Sequence, residues 1–278
     1  MLSQPHAGQR LVESAGYFPV SGAHLYTVLH PVEQPLARVL LVGPFASERH
    51  NTYLPWVRWA RYLAKRNIEA LRFDYRGIGE STGQFDGTSF ADWGSDLNLL
   101  CDWFAAHSPQ APFFLHGLAL GALLAARAFH QGSGDGLLLW SPPADANQAL
   151  RATLKRWIGL DQIFKFGSDR RSAADSIRAL ELGISIEVEG YRWSTQLWQE
   201  SFNLALPSAL ADEETAAAAY DRPVKITRLT SAAAPLAKGG SVGYDDLKDF
   251  TWLFAPHVEW IVQAAAQSSK AVTYADAD

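Results

Sequence analysis

The sequence predicts a doubly wound α/β domain with a mostly parallel central sheet and an inserted, mainly helical cap. Between residues 38 and 140, short apolar strands alternate with amphipathic helices, which is typical of a parallel sheet with helical crossovers. The alternation stops from 145 to 221, where helical patterns predominate, and a strand and a helix follow. We therefore expect a core of residues 1–144 and 222–278 and an inserted cap of residues 145–221.

The first elements are predicted to be a hairpin, a buried strand and a helix. Residues 16–20 and 24–30 are two short alternating runs separated by Ser21-Gly22-Ala23, which is a hairpin signature. Residues 38–42 are continuously apolar except at the first position, as expected for a strand covered on both faces. Apolar positions then recur at helical spacing over 53–66.

The strand–helix pattern then repeats towards the middle of the chain. The predicted strands are 68–73, 112–116 and 136–140, and the predicted helices are 89–106 and 120–130. Ser and Thr residues before 89–106 are suitable helix caps. Such a series predicts neighbouring parallel strands.

The predicted cap contains four helical segments and one short hairpin. The helices are 147–157, 173–182, 194–206 and 212–220, and the hairpin is 184–191. Core elements resume with a strand over 224–229. A final helix is predicted over 256–267, with Pro256 in its first turn, where proline is favoured.

Composition excludes several classes of protein. The chain has 278 residues, a length common for one α/β domain, and 24 Lys+Arg against 29 Asp+Glu leave no basic footprint for nucleic acid. The single cysteine, Cys101, cannot form an internal disulfide or a zinc site of Cys pairs, and its helical apolar stripe predicts a buried thiol. No run reaches the ~18–20 apolar residues of a membrane span and no leader pattern is present, so we expect a cytoplasmic protein without metal or cofactor.

A strand-to-helix turn at residues 117–121 is the principal motif. Gly117-Leu118-Ala119-Leu120-Gly121 follows the strand ending at His116 and opens the next helix. The pattern matches the G-x-S-x-G nucleophile elbow of hydrolases, except that alanine occupies the serine position. Together with the Gly43-Pro44-Phe45-Ala46 turn, it predicts oxyanion-type amides at Phe45 and Leu120. The predicted pocket residues are Gly43, Pro44, Ala46, Leu118, Ala119 and Ser141.

A second motif extends the likeness to a known superfamily. Asp74-Tyr75-Arg76-Gly77-Ile78-Gly79-Glu80-Ser81 resembles the D-x-R-G-x-G-x-S segment of α/β-hydrolases. Residues 42–125 also resemble a bacterial branch of that superfamily, the exosortase A system-associated hydrolases, which are relatives of serine-aminopeptidase-type hydrolases. The matching stretches are 44–48, 79–85 and 117–125, and the likeness extends to 137–142 and 185–191. The resemblance implies an α/β-hydrolase fold and a link to exopolysaccharide export or assembly.

The remaining members of a catalytic triad are harder to place. An acid is expected after the strand ending at Leu229, yet residues 230–235 contain no carboxylate. Asp145, which follows the sixth strand together with Ser141, is an alternative acid. His257 is the one C-terminal candidate base, but we expect it inside the last helix and at the surface.

Other polar residues near these motifs have competing structural interpretations. We expect Ser81 to brace its own turn and His116 to be a satisfied core histidine. Residues 48–51 either cap the following helix or line the pocket mouth.

Three functions are compatible with these features. The first is a non-catalytic protein that binds a small acyl, ester or saccharide-like ligand, or a protein partner. The second is a carboxylic ester or thioester hydrolase, either a Ser→Ala variant at Ala119 or an enzyme that uses an unrecognised residue such as His257. The third is a structural partner of an export or envelope complex.

Overall fold

The computed structural model describes residues 12–164, 172–229 and 250–275. The described strands are β1 (Ser14–Val20), β2 (Ala23–His30), β3 (Ala37–Val42), β4 (Ile68–Phe73), β5 (Phe113–Leu118), β6 (Gly136–Trp140), β7 (Ile186–Val188), β8 (Tyr191–Trp193) and β9 (Val224–Thr227). Seven of them form one sheet in the order β1-β2-β4-β3-β5-β6-β9, and β7 pairs with β8 in a separate hairpin. All pairs from β4 to β9 are parallel, and β1 and β2 add an antiparallel edge. The predicted mostly parallel sheet is confirmed.

Helices cover both faces of the sheet. The described helices are α1 (Ala46–Ala64), α2 (Phe90–His107), α3 (Leu120–His130), α4 (Ala146–Phe164), α5 (Ala173–Glu181), α6 (Thr195–Glu200), α7 (Glu213–Ala219) and α8 (Thr251–Ala275). Short 3-10 turns occur at Phe85–Gly87, Ser201–Asn203 and Ser208–Leu210. Helices α4 to α7 and the β7–β8 hairpin lie between β6 and β9 in the chain, which is the stretch predicted to be inserted. Within the described residues, no helix has both the length and the apolar character of a membrane span.

The sheet separates two apolar cores. One core joins α2 and α3 to side chains of the inserted stretch, including Leu150 and Trp193. The other lies between the sheet and helices α1 and α8, around Trp59 and Ile261. Cys101 is buried in the first core, as its helical stripe predicted.

The inserted stretch packs against the turn that follows β3. The Trp193 ring is 6.4 Å from the Phe45 ring, and the Tyr191 ring is 4.9 Å from the Phe85 ring. An ion pair of 3.9 Å between Arg192 and Asp86 lies at the same contact. The β7–β8 hairpin therefore lies at the carboxyl edge of the sheet, where ligands bind in open α/β folds.

Two predicted helix starts are wrong. Helix α1 begins at Ala46, well before residue 53, and α8 begins at Thr251, so that Pro256 lies inside it. In α1 the first turns carry polar residues, so the apolar periodicity that marks a helix begins only downstream of the true start. The predicted hairpin at 184–191 is found slightly later, at 186–193, and β9 ends at Thr227 instead of residue 229.

Candidate functional site

The turn between β5 and α3 places Ala119 in a backbone conformation that is unusual for alanine. Its φ is 49° and its ψ is −123°, and its amide donates a hydrogen bond of 3.0 Å to the Trp140 carbonyl oxygen. Non-glycine residues at positive φ are uncommon and occur often at functional sites. Leu118 and Ala119 are half-exposed, whereas Gly117 and Leu120 on either side are buried. Residue 119 is therefore partly exposed to solvent, while the residues that flank the turn are buried.

The two flanking glycines are required by close backbone approaches. A Cβ atom on Gly117 would lie 2.4 Å from the Ala122 Cα atom. A Cβ atom on Gly121 would lie 2.1 Å from the Gly43 carbonyl oxygen. Helix α3 thus starts in direct contact with the end of β3, which brings the 43–45 turn beside the 119–121 turn.

The 43–45 turn is held rigidly. The buried Tyr75 hydroxyl donates a hydrogen bond of 2.8 Å to the Gly43 carbonyl oxygen, and Pro44 is buried. Phe45 is the residue before α1, and its ring packs 5.2 Å from that of Trp93. Ala46 is the first residue of α1, and its side chain lies outside the described part of the chain.

The Phe45 and Leu120 amides occupy adjoining segments. Leu120 is the first residue of α3, and amides in the first turn of a helix have no intrahelical acceptor. The contact of Gly121 with the Gly43 oxygen sets these two segments side by side. This arrangement is compatible with oxyanion-type donors, although the Ala119 methyl group offers no atom that can attack a substrate.

His257 is buried and both of its ring nitrogens are engaged. Its exposed fraction is 5%, so the expected surface position is wrong. Because a carbonyl can only accept, Nδ1 donates to the Leu253 oxygen at 2.6 Å, and Nε2 accepts from the Thr227 hydroxyl at 2.8 Å. Burial lowers the pKa of His257, and its ring contacts Trp140 at 5.1 Å. The side of α8 that carries residue 257 packs against the sheet, where Trp140 of β6 and Thr227 of β9 contact its ring.

Asp145 and Ser141 serve the backbone near the same edge. The Asp145 carboxylate accepts a hydrogen bond of 2.6 Å from the Gln148 amide and thereby caps α4. The Ser141 hydroxyl accepts a hydrogen bond of 2.9 Å from the Leu229 amide, and its φ is 47°. Since the hydrogen bonds of His257 go to Thr227 and Leu253, the structure does not assemble Asp145 and His257 into a hydrogen-bonded acid–base pair.

The residues of the second motif brace the sheet edge. The Ser81 hydroxyl donates to the Asp74 carbonyl oxygen at 2.6 Å and accepts from the Tyr26 amide at 2.8 Å, which confirms its predicted bracing role. The Asp74 carboxylate accepts several hydrogen bonds from Arg49 at 2.8–3.0 Å. Arg76 forms a second two-pronged pair with Asp96. These contacts are structural.

His116 is a core histidine that is only partly satisfied. It is fully buried, which lowers its pKa well below the usual value, and its Nδ1 accepts a hydrogen bond of 2.9 Å from Trp59 Nε1. Its Nε2 has no hydrogen-bond partner among the described atoms. The predicted core position is confirmed, but full satisfaction is not.

Residues 48–51 lie within α1, downstream of its N-cap position. Phe45 occupies the N-cap position and makes no side-chain capping bond. The Glu48 carboxylate lies 3.9 Å from Arg156 of α4, and burial raises its pKa. Arg156 also lies 3.9 Å from Glu189 in the β7–β8 turn. The cluster therefore links α1 to the inserted stretch above the 43–45 turn.

The segment 230–235, where a triad acid was sought, lies outside the described residues. Across the part of the chain that the structure describes, no group of three His, Cys, Asp or Glu side chains is placed to hold a metal ion.

The sequence resembles one known protein family over part of its length. A family model described as serine aminopeptidase, S33, matches residues 32–165, just under half of the chain. No protein of curated function matches the sequence.

Solved structures match over nearly the whole chain. The α/β hydrolase GrgF from Penicillium sp. sh18 has a TM-score of 0.55 at 18% identity, covering 92% of this chain and 100% of its own. A soluble variant of monoglyceride lipase from Saccharomyces cerevisiae has a TM-score of 0.57 at 15% identity, with coverage of 95% and 99%. A hydrolase structure from Agrobacterium vitis S4 has a TM-score of 0.54 at 15% identity, with coverage of 90% and 98%. Identities this low establish a shared fold and nothing finer.

Proposed function

Since this chain has the α/β-hydrolase fold and carries alanine at the elbow, we propose that it is a binding protein without serine-hydrolase chemistry. The inserted stretch, residues 145–221, acts in this proposal as a cap over the elbow. The ligand is a small acyl, ester or saccharide-like molecule or a protein partner. The resemblance to exosortase-associated hydrolases favours a role beside exopolysaccharide export, in the cytoplasm.

The alanine at position 119 is the observation that carries the proposal. A serine hydrolase needs a hydroxyl nucleophile, a base within hydrogen-bond reach of it, and a group that orients the base. The Ala119 methyl group cannot be activated, and the Nε2 lone pair of His257 is engaged by Thr227. Two components of the chemistry are therefore missing or committed elsewhere.

Binding is supported by what the site retains. The elbow is half-exposed at Leu118 and Ala119, and its backbone geometry is held by glycine contacts that do not depend on residue 119. The adjoining amides of Phe45 and Leu120 favour a ligand with a carbonyl or similar oxygen acceptor. A preformed edge of this kind supports recognition without reaction.

An ester or thioester hydrolase is the second candidate, and one observation favours it. The Leu253 carbonyl holds the His257 proton on Nδ1, so the nitrogen that a general base uses, Nε2, is unprotonated. A Ser→Ala variant of an active enzyme, or an enzyme with a different nucleophile, would retain this feature.

Activity-based labelling separates the two candidates. We expect a serine-directed fluorophosphonate to leave the purified protein unlabelled and short p-nitrophenyl esters to be hydrolysed only at the background rate. A serine hydrolase labelled in parallel is the positive control. Stoichiometric labelling of any serine in intact-mass spectra would favour the hydrolase.

Binding itself is tested by ligand-dependent stabilisation. A ligand at about 100 times its Kd stabilises a protein by about 2.7 kcal/mol, which raises the Tm measurably. We expect a Tm increase with members of a panel of acyl esters, fatty acids and oligosaccharides, and its loss in Leu118→Arg, beside the elbow. Leu99→Arg, at an exposed position of α2, is the matched control and should keep the increase. An equal response of both variants would contradict binding at the elbow.

A further inference from the structure

Strand β1 forms one edge of the central sheet. It pairs with β2 on one side, and within residues 12–164, 172–229 and 250–275 no strand pairs with its other side. Most residues of Ser14–Val20 are exposed, and none of them is charged. A free edge offers a row of unpaired backbone groups to another strand, and natural proteins usually protect such edges with charges. The outer edge of β1 is therefore a candidate interaction surface.

The direction of the free backbone groups follows from the bonds of β2. The Tyr26 amide donates to the Ser81 hydroxyl at 2.8 Å, and the Tyr26 carbonyl oxygen accepts from the Asp74 amide at 2.9 Å. Neither group faces β1. In an antiparallel ladder two opposite residues either bond each other or both point away, and Tyr17 lies opposite Tyr26. The amide and carbonyl of Tyr17, and those of Ala15 two residues before it, therefore point towards the free edge.

Pro19 restricts how a second β1 strand could pair with this edge. Pro19 also faces outwards but has no N–H to donate. In a two-fold antiparallel pair with Tyr17 opposite Tyr17, each Ala15 oxygen would face Pro19 and lack a donor. With Gly16 opposite Gly16, Ala15 faces Tyr17 of the second copy, and each such pair exchanges two hydrogen bonds. Pro19 then lies at the end of the ladder, where proline is tolerated.

The side chains of β1 are self-complementary in the register centred on Gly16. The two glycines meet at the axis, as a non-hydrogen-bonded pair, where two strands approach most closely. On one face Tyr17 lies opposite Ala15 of the second copy, and on the other face Phe18 lies opposite Ser14. A large side chain thus meets a small one on each face, and no like charges are opposed. These features favour a second copy of the chain over an unrelated strand.

Aromatic side chains border the edge on both faces of the sheet. Tyr17 is 58% exposed, and Trp103 of α2 is 39% exposed. The Trp103 ring lies 5.7 Å from the Phe18 ring, and Tyr17 lies on the opposite face because successive strand residues alternate. Aromatic residues are enriched in protein interfaces relative to the rest of the surface. Their position beside an unpaired strand is typical of an interface.

We propose that β1 pairs with β1 of a second copy of this chain in a two-fold antiparallel dimer with Gly16 at the axis. The two sheets then join edge to edge into one continuous sheet, with both copies of α2 on the same face. Strands β2, β4 and β3 lie between β1 and β5, so the dimer leaves both elbows open and does not depend on the proposed ligand.

Disulfide trapping tests the register of the dimer. In Gly16→Cys the two new thiols lie opposite each other, with Cα atoms about 4.5 Å apart, a distance that a disulfide can span. A Cβ atom at residue 16 meets nothing within 4 Å in the single chain, so the change is compatible with the fold. Ser14→Cys, an exposed position on the same face of β1, is the matched control, because its thiols are several residues out of register. The native Cys101 is buried.

We expect oxidised glutathione to convert Gly16→Cys into a disulfide-linked dimer on non-reducing gels and to leave Ser14→Cys monomeric. Failure of Gly16→Cys to form this dimer, or equal linking in the two variants, would overturn the proposal.

Sedimentation velocity measures the association of the unmodified protein. One strand pair makes a small interface, so we expect mostly monomer at about 1 µM and a substantial dimer fraction at about 300 µM. Ala15→Pro removes an N–H that faces the free edge and makes no bond to β2, and it should weaken dimerisation at least tenfold. Urea unfolding of the variant checks that its fold is retained.

Leu182→Ser, a change at an exposed apolar position of the inserted stretch, is the control for non-specific association and should dimerise as the wild type does. A wild type that stays monomeric over this range of concentration, or an equally strong dimer in folded Ala15→Pro, would contradict pairing through β1.

Discussion

Residue 119 has a strained backbone conformation although its alanine side chain carries no catalytic group. Positive φ at a non-glycine residue costs on the order of 1–3 kcal/mol and persists only where the surroundings impose it. Here Gly117 and Gly121 impose it, because both must approach other backbone atoms more closely than a Cβ would allow. The geometry of the turn therefore does not depend on whether residue 119 is alanine or serine.

Ala119→Ser tests whether the site lacks only one atom. We expect the variant to fold with a free energy of unfolding within about 1 kcal/mol of the wild type, since the turn is already formed. We expect p-nitrophenyl ester hydrolysis to stay at background, because His257 Nε2 is bound to Thr227 and no base is placed to take the serine proton. Losing a base from a triad costs on the order of 10⁶ in turnover. Steady-state assays and urea unfolding measure the two expectations.

The outcome also decides between the two candidate functions. Robust esterase activity in Ala119→Ser would mean that His257 exchanges Thr227 for the new hydroxyl. In that case Ala119→Ser/His257→Gln should lose the activity again. Such a pair of results would favour the hydrolase over the binding protein as the function of this chain.

Residues at the site differ in how far local sequence determines their role. The need for glycine at positions 117 and 121 could be predicted from the elbow motif, because close backbone approaches at these two positions are a property of that motif. The burial of His257 could not be predicted from local sequence, since it depends on which face of α8 packs against Trp140. The bonds that engage Ser141 come from Leu229, far along the chain, and have no local signal.

At the scale of elements, prediction succeeds where the pattern is periodic and fails at helix starts. Strands β3, β5 and β6 contain continuous apolar runs, β4 and β9 carry interspersed polar residues, and all five are confirmed in one sheet. The first turns of α1 are polar and give no apolar periodicity, and α8 contains an internal proline, Pro256, with further helical residues upstream. Because proline is favoured in the first turn of a helix, Pro256 leads to a predicted start of α8 that is several residues too late.

The packing of α3 against the end of β3 is tested by a matched pair of helical glycines. Gly121→Ala places a methyl group 2.1 Å from the backbone oxygen of Gly43, which no rotamer can avoid. We expect the free energy of unfolding to fall by about 3 kcal/mol, at the upper end of typical overpacking costs. Gly94→Ala, inside α2 with nothing within 4 Å of the new Cβ, should instead gain about 0.5–1 kcal/mol. Urea unfolding at neutral pH measures both, and equal stabilities would refute the close approach.

For the whole molecule, the inserted stretch and the α/β core form one packed unit on one face of the sheet. Side chains such as Leu150 and Trp193 belong to the same apolar cluster as α2 and α3. The charged cluster of Glu48, Arg156 and Glu189 joins the same parts near the surface, where ion pairs contribute little. Apolar packing therefore holds the proposed cap, and we expect a single cooperative unfolding transition.

Three buried histidines make the molecule sensitive to mild acid. Burial lowers the pKa values of His30, His116 and His257, so all three are neutral in the fold at neutral pH. The unfolded chain binds protons at these residues near pH 6.5, before the folded chain does. The free energy of unfolding therefore falls as the pH drops below about 6.5.

The contribution of His30 can be isolated, because its folded pKa of about 4 defines its window. Between pH 6.5 and 4 its protonation favours the unfolded chain, and we expect a loss of about 2 kcal/mol across the window, since one pKa unit corresponds to about 1.4 kcal/mol before screening. His30→Gln, whose amide oxygen can still accept from Arg72, should remove this part of the loss. Glu13 also loses its stabilising ion pair in acid, but at lower pH because Arg61 lowers the pKa of its carboxylate.

Urea unfolding at pH 7 and pH 5 measures the effect above the range in which Glu13 titrates. The wild type should lose more stability between these values than His30→Gln, while His116 and His257 contribute equally to both proteins. His24→Gln, the same change at an exposed position of β2, is the control and should follow the wild type. If His30→Gln and wild type have parallel pH profiles, the pKa of His30 is the same in the folded and unfolded chains, which would contradict the lowering of that pKa by burial.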